Sequence, residues 1–301
     1  MMMNVIIPTL NAAKDWPGFA PALLACVAPE EVLIVDSEST DGTVELARAA
    51  GFRTHGIRRS EFNHGGTRQL AAEMSADADL LVFMTQDAVL TSPDAIPKLV
   101  ATFGDPGVAA AYGRQLPRAK AGAIEAHARF FNYPDISDVR DLSARQRLGF
   151  KTIFISNSFA AYRRSALMQV GGFQSNVIFG EDTVLAARLL LANYKVAYVA
   201  DACVRHSHAQ SCRQEFHRYF DIGVLHNREG WLLEAFGKAS GEGKRFFLSE
   251  LRHLREHAPA QIPWSVLRTV LKLLGYRLGR IEGLFPTEVK RRLSLNAMYW
   301  K

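Results

Sequence analysis

Short runs of apolar residues recur through the first two-thirds of the chain, and segments with helical spacing separate them. Such runs predict buried strands, because a strand covered on both faces is apolar at successive positions. The predicted strands cover residues 5–7, 31–35, 53–57, 80–84, 108–112, 154–162 and 196–199. The predicted helices cover residues 20–27, 43–50, 66–75, 123–131 and 181–191. Residues 134–150 show no clear period, so we expect a loop there.

Alternating strands and helices predict an α/β fold, with a mainly parallel sheet flanked by helices on both faces. From Cys212 onward the pattern is helical throughout. We therefore divide the chain into an α/β domain, residues 1–210, and a C-terminal helical region, residues 211–301.

The composition is that of an ordinary globular protein. Of the 301 residues, 48% are hydrophobic and 22% are charged, which excludes disordered, collagen-like and coiled-coil chains. No apolar run reaches the ~18 residues of a membrane-spanning helix. Residues 1–10 lack the positive start of a signal peptide. Three scattered cysteines do not make a disulfide framework, so we expect a protein of the reducing cytoplasm.

The net charge of +6 lies in the last forty residues. Residues 262–301 contain eight Lys or Arg and two Glu, which equals the whole excess. A basic segment favours partners that carry phosphate: lipid headgroups, nucleic acid or a phosphorylated substrate. Apolar residues recur here every three or four positions with basic residues between them, which predicts a basic amphipathic helix.

This helix allows three interpretations. It could contact the inner face of the cell membrane peripherally, build a homo-oligomer, or pack on the body with a solvated basic face. Gly275, Gly279 and Gly283 weaken an isolated amphipathic helix, and their four-residue spacing favours close packing against another helix.

Polar residues follow three of the predicted strands, at the edge where parallel sheets bind ligands. These residues are Thr9 and Asn11, Asp36 and Ser37, Gln86 and Asp87. Asp87 is a candidate ligand for a divalent cation, which prefers hard oxygen ligands; the alternative is a turn cap. The segment 36–43 belongs either to a ligand site or to a helix N-terminus that its own side chains cap.

Further candidates lie at helix starts and near a histidine pair. Asp182 follows Glu181 at the start of a helix, where it is either a general base or an acid favoured by the helix dipole. His206 and His208 lie between Cys203 and Cys212 in a spacing that allows zinc. We prefer one histidine joining Asp87 at a metal, because no second ligand pair is present. Residues 64–68 place glycines and an arginine at a helix start, which suits phosphate.

Taken in order, these segments resemble inverting family 2 glycosyltransferases, which have the GT-A fold. Residues 5–11 resemble their first strand, 35–43 their nucleotide-binding turn, and 85–87 occupy the place of their Asp-x-Asp metal motif. Residues 171–173 and 181–182 resemble their donor-sugar loop and catalytic-base motif. The resemblance covers residues 3–225 and implies a GT-A nucleotide-sugar-binding and catalytic domain in residues 1–210.

A finer resemblance is to bacterial rhamnosyltransferases, and residues 62–68, 83–88, 112–117, 206–208 and 216–224 carry it. It implies dTDP-L-rhamnose as the donor and a cell-surface polysaccharide or a lipid-linked saccharide as the acceptor. A UDP- or GDP-sugar donor is the alternative within the same fold. We expect no nucleic-acid partner.

The resemblance also implies roles for individual residues. The predicted donor contacts are Pro8, Thr9, Asp36 and Ser37 around the nucleobase, Arg68 at the nucleobase or phosphates, Gln86 at the ribose, and Asn11, Asn157 and Gly172 at the donor without a more specific place. Asp87 would hold Mg²⁺ or Mn²⁺, with His206 as second ligand and His208 as its substitute. Two residues depart from the family pattern, because Gln86 and Ser37 each stand where relatives have Asp.

The implied mechanism follows the charges. A divalent cation stabilises the negative charge that grows on the departing nucleoside diphosphate. Asp182, beside Glu181, deprotonates the acceptor hydroxyl as it attacks the anomeric carbon from the opposite face. A nucleotide-dependent dehydrogenase is disfavoured, because no Gly-x-Gly-x-x-Gly follows the first strand. A silent nucleotide-sugar-binding or membrane-binding module is disfavoured by the presence of both Asp87 and Asp182.

Overall fold

The computed structural model describes residues 1–237 and 241–300, and its centre is a nine-stranded mixed sheet. The strands are β1 (Met3–Thr9), β2 (Val32–Asp36), β3 (Arg53–Gly56), β4 (Leu80–Met84), β5 (Val89–Leu90), β6 (Val108–Leu116), β7 (Asp138–Arg140), β8 (Phe159–Arg163) and β9 (Lys195–Arg205). The helices of the α/β part are α1 (Trp16–Leu24), α2 (Thr43–Ala49), α3 (His64–Met74), α4 (Ala95–Ala101), α5 (Ala123–Asn132), α6 (Arg145–Leu148), α7 (Arg164–Gln169) and α8 (Glu181–Leu191). The later helices are α9 (Cys212–Arg228), α10 (Gly230–Phe236), α11 (Glu242–His257), α12 (Ile262–Arg280) and α13 (Thr287–Leu293).

The strand order is β3-β2-β1-β4-β8-β6-β9-β5, and β7 pairs with β9 beside this path. Strands β1 to β4 are parallel, β8 runs antiparallel between β4 and β6, and β9 is parallel to β6. Six of the nine described strands thus run in one direction, which confirms the predicted mixed, mainly parallel α/β sheet. The carboxyl ends of β1, β2 and β4 meet at one edge.

Two apolar clusters cover the two faces of the sheet. Val5 and Ile7 of β1 join the cluster on one face, whereas Ile6 joins the cluster on the other. All five residues of β2 and all five of β4 are buried. Because both faces are covered, these strands are continuous apolar runs without alternation, and this explains why the apolar pattern predicted them correctly.

The middle of the chain differs from the prediction. The strand predicted over 154–162 begins only at Phe159, because residues 149–153 form a 3-10 helix and the polar segment 156–158 makes side-chain bonds instead. The loop predicted over 134–150 contains β7 and α6. Buried Arg140 fixes this region by donating to the carbonyl oxygens of Lys151 and Phe154. Strand β9 is longer than predicted, and β5, α4 and α7 were not predicted.

The C-terminal region is helical as predicted, and its segments 238–240 and Lys301 lie outside the described residues. Phe220, Val224 and Leu225 of α9 belong to the same buried cluster as Ile6 and Phe83 of the sheet. One hydrophobic core therefore extends across residue 210. The division of the chain into two regions at that residue stays a prediction. Among the described helices, none has the length and apolar character that crossing a membrane requires.

Candidate active site

A hydrogen-bonded cluster around Asp36 lies at the carboxyl ends of β1 and β2. Thr9 Oγ1 donates to Asp36 Oδ2 over 2.8 Å, and the Ser39 amide and hydroxyl donate to the same carboxylate over 2.8 and 2.6 Å. Pro8 pairs with Val35 in the ladder just before this cluster. The buried hydroxyl of Ser37 has no partner among the described residues. Buried polar groups are normally paired, so this hydroxyl is suited to a ligand.

Asn11 and Gln86 tie neighbouring segments to this edge. Asn11 Oδ1 accepts from the Thr40 amide over 2.9 Å, which holds the turn after β2. The Leu10 amide donates to Gln86 Oε1 over 2.8 Å, and Gln86 Nε2 donates to the Leu10 carbonyl over 3.1 Å. The side chain of Gln86 is thus engaged by the backbone that follows β1. Its contact with a ribose stays a prediction.

Asp87 meets both histidines of the 206–208 segment at the end of β4. His206 Nε2 lies 3.4 Å from Asp87 Oδ1, and His208 Nε2 lies 3.0 Å from Asp87 Oδ2. Potential ligand atoms of the three residues all lie within 4.8 Å of one another. Burial alone would raise the pKa of Asp87, but hydrogen bonds and charge from His206 and His208 hold that pKa well below the usual range.

The donor set of this cluster is one carboxylate and two imidazoles, which is chemistry that suits a divalent cation. Within the described ranges, this is the group of His, Cys, Asp and Glu side chains close enough to share an ion. Cys203 and Cys212 do not belong to it, and both are free thiols. The zinc interpretation with two cysteines is therefore wrong, whereas the placement of His206 beside Asp87 agrees with the sequence prediction.

The structure adds two residues that the sequence analysis did not assign to the site. Arg118 Nη2 donates to the Asp87 carboxylate over 3.1 Å, and the Arg118 amide donates to Ser207 Oγ over 2.9 Å. Gln115 Oε1 lies 3.0 Å from His206 Nδ1 and so orients that ring. Partners of this kind fix the orientation of a metal-binding imidazole. Gln115 lies in the segment 112–117 that carries the resemblance to rhamnosyltransferases, which was the available signal.

A second carboxylate centre lies at the start of α8. Glu181 is buried and pairs with Arg68 Nη1 over 3.0 Å, and it accepts from Asn157 Nδ2 over 3.1 Å. Burial opposes ionisation of Glu181, but the charges of Arg68 and His64 and the Asn157 bond outweigh it, so its pKa lies below the usual value. Arg68 also donates to the His64 carbonyl, so its guanidinium points into the protein.

The pKa of Asp182 is shifted in the opposite direction to that of Glu181. Burial, and then the negative charge of Glu181, raises the pKa of Asp182 to about 7. Its carboxylate still accepts from the Asn157 amide over 3.2 Å and from the Thr183 amide over 2.7 Å. A carboxylate that is oriented by the backbone and titrates near neutral pH is suited to general-base catalysis.

The segment 156–158 connects the two carboxylate centres. The Asn157 amide holds Asp182, and Ser156 Oγ accepts from Gln115 Nε2 over 2.9 Å. Gln115 in turn contacts His206, which contacts Asp87. Asp87 and Asp182, 95 positions apart in the sequence, therefore belong to one continuous network.

Gly172 lies in the loop that the resemblance assigns to the donor sugar. Its φ is +67°, and a Cβ there would lie 2.1 Å from Gln69 Oε1. The same oxygen accepts from the Phe173 amide over 2.9 Å. Glycine at 172 thus permits the loop to close on α3. Direct contact of Gly172 with a donor stays a prediction, as do the donor contacts of Asn157 and Arg68.

A cavity of about 360 Å³ opens beside Thr183, the residue after Asp182. Its charged lining residues are Arg145, Arg147, Lys151, Arg245 and Glu242. Glu242 pairs with Lys151 over 3.1 Å and also with Arg245, which leaves the lining positively charged. Thr183, which follows Asp182 in the chain, is thus the lining residue next to that carboxylate in sequence.

The site therefore combines a cluster whose donor set suits a cation with a carboxylate suited to general-base catalysis, at the ligand-binding edge of an open α/β sheet. One carboxylate is kept ionised beside two imidazoles, and the other titrates near neutrality. Environments that push two carboxyl pKa values apart distinguish the residues that stabilise charge from those that move protons. This is the arrangement of a group-transferring enzyme.

The chain belongs to glycosyl transferase family 2, whose model matches residues 4–171. It is 45% identical over 302 residues to the O-antigen chain rhamnosyltransferase RfbN of Salmonella typhimurium, covering 100% of this chain and 96% of the relative. It is 43% identical over 301 residues to the O-antigen chain rhamnosyltransferase WbaN of Salmonella anatum, covering 99% and 95%.

Among solved structures, the chain is similar to the mannosyltransferase PcManGT from Pyrobaculum calidifontis in complex with GDP-Man and Mn²⁺. The TM-score is 0.57 at 17% identity, over 99% of this chain and 85% of that one. At this identity the likeness concerns the fold, and it confirms the predicted GT-A architecture. Family membership confirms that the protein is a glycosyltransferase, and the dehydrogenase alternative is thereby excluded.

Proposed function

We propose that the protein is an inverting rhamnosyltransferase that moves L-rhamnose from dTDP-L-rhamnose to a growing cell-surface polysaccharide, presented as a lipid-linked saccharide. Two relatives of similar length that are named O-antigen chain rhamnosyltransferases support the sugar and the polymer. One geometric observation carries the catalytic assignment. Asp87 lies 3.4 Å from His206 and 3.0 Å from His208, and a chain of contacts through Gln115, Ser156 and Asn157 joins this cluster to Asp182. The pKa shifts agree with it, since the pKa of Asp87 is lowered and that of Asp182 is raised to about 7.

In the proposed reaction, Asp182 accepts the proton of an acceptor hydroxyl. The hydroxyl oxygen forms a bond to the anomeric carbon of rhamnose as the bond from that carbon to the diphosphate oxygen breaks. Attack from the face opposite the leaving group inverts the configuration. General-base assistance supplies about 10²–10⁴-fold in rate. Glu181 is bound to Arg68 and Asn157, so we assign it a positioning role: it anchors the start of α8 and raises the pKa of Asp182.

We propose that Asp87, His206 and His208 bind the divalent cation. When bound, it would neutralise charge on the leaving diphosphate. Mg²⁺ demands near-ideal octahedral coordination by oxygen ligands, so two imidazoles disfavour Mg²⁺ and leave Mn²⁺ as the candidate of the two. The solved mannosyltransferase of similar fold was crystallised with Mn²⁺, which supports this choice. Arg118 shares Asp87 with the histidines, and we expect it to turn toward phosphate when the cation binds.

We propose that the cavity beside Thr183 receives the acceptor. It adjoins the residue that follows the base, and it lies away from the Asp36 cluster where the nucleobase is expected. Four basic side chains against one carboxylate in its lining suit an acceptor that carries negative charge. The matched pair of Lys151→Gln and Lys120→Gln tests this: the cavity variant raises KM for the acceptor, and the variant outside the cavity does not.

We also propose that residues 262–301 bring this cytoplasmic enzyme to the inner face of the membrane, beside a lipid-linked acceptor. The charge excess of this segment supports the contact. A homo-oligomer built through the same segment is the competing use. Sedimentation with vesicles and the molar mass in solution distinguish the two.

A donor panel tests the function itself. Purified protein is incubated with dTDP-L-rhamnose, UDP-glucose and GDP-mannose, with and without Mn²⁺ or Mg²⁺, and both sugar release and thermal stabilisation are measured. Slow hydrolysis to water needs no acceptor. We expect a metal-dependent response to dTDP-L-rhamnose. A response to a UDP- or GDP-sugar instead would discard the rhamnosyl assignment and keep the fold and mechanism.

Two variants separate binding from chemistry in the same panel. Asp87→Asn is expected to lose the metal-dependent part of the thermal shift. Asp182→Asn is expected to keep donor binding and lose transfer. If the wild-type protein releases or transfers no sugar from any donor, with an acceptor present, glycosyltransferase activity is absent from this chain. The alternative of a binding module without catalytic activity then replaces the proposal.

A further inference from the structure

Helix α12 packs on α9 through its small residues. A Cβ at Gly275 would lie 2.4 Å from the Phe216 carbonyl oxygen, and a Cβ at Gly279 would lie 2.0 Å from that of Phe220. On α9, a Cβ at Gly223 would lie 2.3 Å from the Tyr276 carbonyl oxygen. The two backbones are therefore in direct contact, as the four-residue glycine spacing indicated. This contact fixes which face of α12 points toward the body.

Two basic residues of α12 lie on that inward face. Arg268 binds Glu215 through Nε and Nη2, both over 2.8 Å, and Lys272 Nζ lies 3.3 Å from the same carboxylate. Their side chains are only 13% and 14% exposed. The expected solvated basic face is therefore wrong for these residues. Buried guanidinium and ammonium groups pair with Glu215 instead of facing solvent.

The outward face of α12 is apolar. At 100° per residue, the exposed positions from Val266 onward fall in one sector opposite the glycines. Its aliphatic members are between 42% and 55% exposed: Val266, Leu267, Val270, Leu273 and Leu274, with Ile281 at the C-cap. Arg277 is the charged residue in this sector. We call these seven residues the outer face of α12. Trp264 and Leu284, 51% and 78% exposed, lie at its two ends.

Continuous exposed apolar surface of this kind marks an interaction site. A second copy of the chain is the first candidate, but six half-exposed aliphatic side chains offer roughly 500 Å², below the ~800 Å² per partner of a stable dimer. A two-fold contact would also bring the exposed Arg277 of each copy into the interface, where like charges repel. Self-association through this face is therefore disfavoured.

We infer that the outer face of α12 inserts into the headgroup region of an anionic bilayer, with α12 lying parallel to the surface. An interfacial helix needs an apolar face and nearby positive charge, and needs no shape complementarity. Arg277 in the face and exposed Arg292 on α13 supply charge complementary to acidic headgroups, whereas Arg291 is paired with Glu288. The inference deepens the proposed membrane contact and rests on it. In this inference the helix binds the membrane by inserting its apolar outer face, and not by the attraction of a basic face to acidic headgroups.

The test is sedimentation with vesicles of phosphatidylethanolamine and phosphatidylglycerol, compared with vesicles of phosphatidylcholine alone. The variant Val270→Ser/Leu273→Ser/Leu274→Ser removes apolar area from the outer face. Its matched control, Leu24→Ser/Leu46→Ser/Met74→Ser, changes three apolar residues of similar exposure on α1, α2 and α3. We expect the first variant to bind anionic vesicles at least tenfold more weakly and the control to bind like wild type. Arg277→Gln is expected to weaken binding about fivefold at low salt only.

Donor hydrolysis and the far-UV circular dichroism spectrum of each variant show that the fold and site are intact. If wild type binds vesicles and the outer-face variant binds equally well, the membrane contact stands and the inference about α12 is overturned. If wild type binds no vesicles, both fail, while the transferase assignment is judged separately by hydrolysis. A wild-type dimer in solution that the outer-face variant converts to monomer would instead make this face a subunit interface and overturn the inference.

Discussion

Replacing Asp182 by Asn is expected to stabilise the protein at alkaline pH while it disables transfer. Burial raises the pKa of Asp182 from the ordinary 3.8 to about 7. The folded state therefore binds this proton more tightly than the unfolded chain does. Ionising Asp182 destabilises the fold progressively as pH rises from about 4 to about 7, and the whole penalty is present above that. This difference in pKa between the folded and unfolded states corresponds to about 4 kcal/mol in the free energy of unfolding.

The asparagine variant removes the buried charge and keeps the shape. Its side-chain oxygen can still accept from one of the two backbone amides that hold Asp182, and it loses the charge-assisted strength of the other bond. We therefore expect a gain of about 1–3 kcal/mol at pH 8 and no gain at pH 4, measured by urea unfolding at both values. Asp77→Asn, at an exposed position, is the control for the same chemical change and should shift neither value.

The Asp182→Asn variant is expected to lose turnover while it gains stability. Without a base, transfer is expected to fall by about 10²–10⁴-fold. In wild type, the rate should decline about tenfold per pH unit below about 7, because only the ionised carboxylate accepts the proton. The reasoning is refuted if Asp182→Asn is no more stable than wild type at pH 8, or if its turnover is close to normal.

Three further outcomes follow from the site and from the helix pair. His206→Ala is expected to abolish the Mn²⁺-dependent thermal shift with dTDP; a full shift would remove His206 from the metal assignment. Glu181→Gln removes a charge that raises the pKa of Asp182, so the acid limb of the rate profile should move to lower pH, and an unmoved limb would contradict the coupling. Gly279→Ala is expected to lower stability by about 1–3 kcal/mol, because its methyl group meets a backbone oxygen of α9. Gly283→Ala, with nothing within 4 Å, is its control in the same unfolding measurement.

The fold was predictable where both faces of a strand are buried and not where polar side chains determine the path. Strand β4 has the predicted bounds because five successive apolar residues are all buried. The segment 134–150 was predicted as a loop because its order comes from the buried guanidinium of Arg140, which leaves no apolar period in the sequence. For α12, the periodicity identified residues that share a face. Only the contact with α9 determines which face is outward.

The site was predictable in its carboxylates and histidines and not in the residues that hold them. Asp87 and Asp182 stand out because each ends or begins an element at the ligand-binding edge. His206 is 119 positions from Asp87, and β9 brings it there. Arg118 and Gln115 act through contacts that depend on the three-dimensional path of the chain, so spacing along the sequence does not reveal them.

The opposite states of the two carboxylates also explain why their roles are not interchangeable. Both are partly buried, which by itself raises the pKa of each. Two imidazoles beside Asp87 reverse that effect, so Asp87 stays ionised at every pH at which the enzyme would work and cannot exchange a proton with substrate. The largest charge effect on Asp182 comes from the carboxylate of Glu181, which adds to the effect of burial. Because the charged partners act in opposite directions on two carboxylates that burial affects alike, we expect Asp87 to attract a cation and Asp182 to accept a proton.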